Sequence, residues 1–95
     1  MTAADYVQLC QRRQTIIRHA DRITHEFDAV IMPTVPMAAP AMGPLEKDDR
    51  LFAVTNMLTL RNCSIGNFLD RCAISLPCHR RGDAPVGLMV MGETM

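Results

Sequence analysis

Residues 67–78, NFLDRCAISLPC, run from a polar start through a short apolar stretch to a proline stop. Ala73 to Pro77 has the length and residue type of a β-strand, and proline cannot donate to a ladder beyond it. The eight residues that follow, CHRRGDAP (78–85), are a polar turn, and the apolar run Val86 to Met91 reads as a second strand. Arg81, Gly82 and Asp83 spell an adhesion tripeptide, but Gly82 and Asp83 are also what a turn requires, and the turn reading is preferred.

Working back from this pair, FDAVIMPTVP (27–36) contains an unalternated run, Ala29 to Met32, expected as a strand buried on both faces and ended by Pro33 and Pro36. Thr34 to Asp49 carries Pro36, Pro40, Gly43 and Pro44, and reads as a long loop of the kind that lines pockets. Asp49 is expected to cap a helix through Leu51, Phe52, Val54 and Leu58 that ends near Arg61, with Ser64 to Asn67 as a turn. At the amino terminus Thr2 and Asp5 form a capping-box pattern. The apolar positions Tyr6, Leu9, Cys10, Ile16, Ile17, Ala20, Ile23 and Phe27 then recur at three and four, which predicts an amphipathic helix of about six turns. Its other face, with Gln8, Arg12, Arg18, His19, Arg22 and His25, reads as solvated surface. Helix, strand, helix, strand, strand is an α/β arrangement.

The chain has 95 residues, no net formal charge and 48% hydrophobic residues, which reads as one ordinary soluble domain with a thin core. Ten acids balance nine arginines and one lysine along the chain, leaving no basic stripe for phosphates, so no nucleic-acid partner is expected. No apolar run approaches the roughly 20 residues that span a bilayer, and the first residues lack a secretory pattern. A cytoplasmic location without membrane contact is the expectation. Cys10, Cys63, Cys72 and Cys78 contain no CxxC pair and read as reduced structural thiols. Cys72, Cys78 and His79 match no zinc spacing, and Met89 and Met91 share one strand face as gap fillers, so neither a metal nor another cofactor is expected.

A hydrolase needs a nucleophile beside an oriented base. Ser75 lies within a strand, and Ser64 sits in CSIG, which lacks the first glycine of a nucleophile elbow. Lys47 lies between Glu46 and Asp48, carboxylates that favour its charged form. No catalytic set can be assembled from these residues.

The blocks FDAVIMPTVP, NFLDRCAISLPC and PVGLMVMGETM, in this order and spacing, resemble the carboxy-terminal part of the amidase signature enzymes, a family of amide hydrolases and amidotransferases. AADYVQLCQRRQTIIRHAD (3–21) is similar to the helix that precedes those blocks, so the resemblance covers nearly the whole chain. It implies a segment of an α/β/α fold with a mixed central sheet, and a small-molecule amide as substrate. It also implies a serine nucleophile, a bridging serine in a cis peptide and a lysine base, which belong to a glycine- and serine-rich signature region and a segment before it, neither of which this sequence contains. The segment is therefore expected to be truncated at both ends, to contribute scaffold strands and part of a substrate pocket, and to be inactive alone.

In the family, the segment leading into Asn67 and the loop after the first strand, here Thr34 to Ala39, approach the substrate from the side opposite the nucleophile. Thr34, Arg61, Asn62 and Asn67 are accordingly the candidate substrate-binding residues. Where amidotransferase relatives carry an acid and a threonine, this chain has Leu60 and Cys63, which weakens glutamine as the substrate. Arg61 has two readings: a fork that meets a carboxylate or carbonyl, or a helix-end cation complementing the macrodipole. A non-catalytic module is the alternative function. Its open strand edges and apolar sheet face predict self-association into a homo-oligomer.

Overall fold

A computed structural model describes residues 1–94. Helix α1 spans Ala3–Thr24, strand β1 Val30–Pro33, helix α2 Met42–Lys47, helix α3 Asp49–Phe68, strand β2 Arg71–Pro77 and strand β3 Gly87–Thr94. The expected α/β class is found. The sheet has the order β1-β3-β2, and both of its pairings are antiparallel.

The capping box at Thr2 forms in both directions, with Asp5 N–H donating to Thr2 Oγ1 and Thr2 N–H to Asp5 Oδ2. These bonds hold the Asp5 carboxyl below its ordinary value near 3.8. Only Ile17 of α1 is buried. What fixes α1 to the sheet is polar: Arg71 Nη2 donates to Asp21 Oδ1 at 3.0 Å and to Thr24 Oγ1 at 2.8 Å, with the arginine side chain only 3% exposed. Thr94 Oγ1 lies 2.7 Å from the same carboxylate. From the middle of α1, Arg13 closes the carboxy terminus of α3, donating to Phe68 O at 2.9 Å and pairing with Asp70 at 2.6 Å. A cation at a helix carboxy terminus meets the negative end of the macrodipole.

Several boundaries depart from expectation: α1 ends at Thr24 rather than Phe27, β2 begins at Arg71 rather than Ala73, and β3 runs from Gly87 to Thr94 rather than from Val86 to Met91. Asp48, not Asp49, caps α3, accepting from Arg50 N–H and Leu51 N–H. The helix does not stop near Arg61 but continues through the anticipated turn at Ser64 to Asn67, ending after Phe68. Asn62 and Gly66 favour turns locally, yet here both face the protein: Asn62 is buried, and a Cβ on Gly66 would stand 3.1 Å from Met91 Cε. Tertiary packing outweighs propensity at these two positions. The stop is supplied by Asp70 in the left-handed region, φ 54°, beside its partner Arg13. Pro33 belongs to β1, paired with Leu88, which an edge strand of this sheet tolerates. The long loop after β1 contains the one-and-a-half-turn α2, with Pro44 in its first turn, where the missing N–H has no helical partner to lose.

One face of the sheet carries Met89 and Met91, which are buried, and α3 packs there through Gly66. The opposite face is open. Ile31, Ile74 and Leu76, aligned through Val90 and Leu88, are 65%, 59% and 46% exposed. β1 is thus not buried on both faces within this chain. Cys10, Cys72 and Cys78 are exposed rather than packed, and all four thiols are free. The buried apolar core among the described residues is Ile17, Met89 and Met91, in a slab only 16 Å thick. Such a slab is one sheet with one layer of helix, half of a sandwich. The β2–β3 connection turns at Gly82, whose φ of +92° requires glycine, which accounts for the Arg81-Gly82-Asp83 sequence.

Candidate functional site

The chain leaves β1 at Thr34 on the helix-covered side of the sheet. Its N–H donates to Gly87 O at 3.0 Å, which prolongs the β1–β3 pairing by one residue. Across β3, Ser75 projects from β2 on the same side, opposite Met89. The two hydroxyls, Thr34 Oγ1 and Ser75 Oγ, hydrogen-bond to each other over Gly87. This bond depends on glycine in the middle strand: a Cβ at 87 would collide with Ser75 Oγ and stand 3.0 Å from Thr34 Oγ1.

That hydroxyl pair lies in the wall of a cleft of about 470 Å³. The loop after β1 contributes Val35, Met37 and Pro40, α3 contributes Thr59, and the β2–β3 connection contributes His79, Pro85 and Val86. The His79 ring is held by its neighbours, with Nδ1 3.3 Å from both Val86 N–H and Val86 O. A volume of a few hundred Å³ with apolar walls and few polar groups is the usual character of a small-molecule site.

The four sequence candidates fall at different distances from this cleft. Thr34 lines it. Asn62 is 6% exposed and stands behind it, its Nδ2 donating to Pro33 O at 2.7 Å. Cys63 Sγ lies 3.6 Å from Thr34 O, so two successive helical residues tether the exit of β1 to α3. Arg61 is exposed and points its Nε at Asn62 Oδ1, 3.1 Å away. It is seven residues before the last helical residue, so the helix-end reading of Arg61 does not hold. Asn67 is elsewhere, in the last turn of α3, where its backbone carbonyl accepts from Arg13. Gly87 is absent from the sequence candidates, and Ser75, set aside there as a strand serine, proves to line the cleft. Glycine inside a strand marks close approach of another group, and that was the available signal.

Among the described residues neither hydroxyl is hydrogen-bonded to a base: His79 shares the cleft but turns its Nδ1 to the Val86 backbone, and Lys47 is exposed at the end of α2 and outside the lining. Among the described residues no three His, Cys, Asp or Glu side chains gather closely enough to hold a metal, and no helix is long and apolar enough to cross a membrane. The arrangement can bind and orient.

The Amidase family model matches residues 1–95. The 2-amino-5-chloromuconic acid deaminase of Comamonas testosteroni is 30% identical over 86 residues, which cover 85% of this chain and 18% of that protein. A glutamyl-tRNA(Gln) amidotransferase subunit of Desulforamulus reducens is 31% identical over 90 residues, and one of Clostridium acetobutylicum is 33% identical over 90, each match covering 95% of this chain and 18% of the relative. No solved structure matches. The chain thus spans about 18% of the length of the curated relatives it matches. With the family model running the whole length of the chain, over the very strands and helices that build the cleft, this chain belongs to the Amidase family.

Proposed function

We propose that this chain is a carboxy-terminal segment of a longer enzyme that cleaves a C–N amide bond, and that it supplies scaffold strands and one wall of the substrate pocket. The single observation that carries the reading is the cleft itself: an apolar recess with a hydroxyl pair at its wall, inside a chain of the Amidase family. Thr34 is assigned to substrate contact. Asn62 is a positioning residue, holding the β1 exit through Pro33 O, and Arg61 orients the Asn62 amide. Asn67 has no part in the wall. Chemistry falls to groups contributed by the rest of the enzyme, because the two hydroxyls here are hydrogen-bonded to each other and to no base. The test is release of ammonia from simple aliphatic and aromatic amides by the longer enzyme and by residues 1–95 alone. Turnover by the former and none above background by the latter is expected. Turnover by residues 1–95 that disappears in Ser75→Ala would place the chemistry in this segment and overturn the proposal.

A second reading is favoured by the open apolar face of Ile31, Ile74 and Leu76: a module that pairs with its own copy. Covering apolar surface returns about 25 cal/mol per Å². Sedimentation at micromolar concentration separates the readings, since Ile74→Glu should dissolve a dimer built on this face, and a compact monomer from the unaltered chain would remove the idea.

A further inference from the structure

We infer that the cleft wall takes the uncharged, apolar part of an amide substrate, such as an aryl or branched alkyl group next to the carbonyl, and discriminates against charged amino-acid amides such as glutamine. The inference rests on the reading of the cleft as a substrate wall.

Its first support is the lining. Val35, Met37, Pro40, Pro77, Pro85 and Val86 line the open recess, and its polar side chains are hydroxyls and one imidazole. None of the described lining residues is Lys, Arg, Asp or Glu. An uncharged apolar group would cover the apolar side chains of this wall, whereas an α-carboxylate or α-ammonium laid against it would meet them and no counter-charge. His79 does not offer one through Nδ1, which is occupied by the Val86 backbone.

The second support is the hydroxyl pair. Each hydroxyl has one hydrogen and two acceptor lone pairs. When Thr34 and Ser75 bond to each other, one hydrogen is used and one remains. The pair therefore presents one neutral donor with spare acceptor sites, which matches an amide carbonyl or N–H better than a carboxylate that needs several donors or a cation. Gly87 keeps both hydroxyls in this position, so the donor is fixed by the fold rather than by a mobile side chain.

The test uses residues 1–95 with phenylacetamide, phenylacetate and glutamine as ligands, followed in ¹H–¹⁵N spectra that report folding and binding together. Phenylacetamide is expected to bind at least tenfold more tightly than the other two and to shift the amides of Thr34, Ser75 and Gly87. Equal or tighter binding of glutamine or phenylacetate, or shifts that map away from those three residues, overturns the inference. Val86→Lys should reverse the order in favour of phenylacetate, and Ala38→Lys, on the loop side of the same cleft, should do so where the first variant loses its native spectrum. An unchanged order in a folded variant also overturns it. Selective binding of phenylacetamide, with no ammonia released from any amide by the longer enzyme, would keep the wall and sink the amide-cleaving reading. Amide cleavage without that selectivity would do the reverse.

Discussion

Replacing Gly87 by alanine should break the fold at one hydrogen bond and be partly repaired by removing a second atom. The new Cβ would occupy the space of Ser75 Oγ and press on Thr34 Oγ1 at 3.0 Å. Serine must then rotate its hydroxyl away, losing a bond worth about 0.5–1.5 kcal/mol. Overpacking of this kind adds about 1–3 kcal/mol. Against these, alanine loses less chain entropy than glycine on folding, a gain of about 0.4–1 kcal/mol where the backbone accepts it. The φ of Gly87 is not positive, so the gain applies. The balance is a destabilisation of about 1–3 kcal/mol for Gly87→Ala. Ser75→Ala, which only deletes the hydroxyl, should cost about 0.5–1.5 kcal/mol. In the double variant the obstructing oxygen is gone, and the total should fall at least about 1 kcal/mol short of the sum of the singles. Urea denaturation of the four proteins measures this directly, provided their m values agree. Additivity within about 0.5 kcal/mol would refute the close approach of the two hydroxyls across β3.

Three further outcomes follow from the same contacts. Asn62→Ala should leave the Pro33 carbonyl without its donor and cost about 1–3 kcal/mol of stability, read by denaturation, while Asn67→Ala, whose side chain makes no such bond, should stay within about 0.5 kcal/mol. Asp21→Ala should cost about 1.5–3 kcal/mol by stranding the buried Arg71 guanidinium, and the double variant Asp21→Ala with Arg71→Met should recover part of that loss. Asp5 has a folded-state value depressed below 3.8 by its bonds to Thr2, so its contribution to α1 is present above that pH and lost as pH falls further. Far-UV circular dichroism from pH 5 to pH 2 should show a helical loss in this range that Asp5→Asn already shows at pH 5.

The residues that made the fold legible were those whose local chemistry and tertiary role agree. Thr2 and Asp5 cap α1 as their spacing implied, and the turn at Gly82 and the apolar strand around Ile74 fall where they were expected. Asn62 and Gly66 misled because each carries a turn-like propensity in the service of packing: one side chain reaches back to β1, the other is absent so that Met91 can approach. The end of α3 was hidden because Asp70 supplies the left-handed residue where glycine would have signalled it. Thr34 was visible as part of a proline-bounded loop after a strand. Its partner Ser75 was not, since the pair forms only through the β1-β3-β2 order, which brings residues 34 and 75 together across a strand that follows both in sequence.

The central claim is that the cleft beside Thr34 and Ser75 forms a wall of the substrate pocket in an amide-cleaving enzyme. A crystal structure of the longer enzyme with phenylacetamide bound tests it most directly. The account predicts the phenyl group against Val35 and Val86 and the amide within hydrogen-bonding distance of the Thr34 or Ser75 hydroxyl. A ligand held entirely by other parts of the enzyme, with this cleft filled by protein side chains, would contradict it.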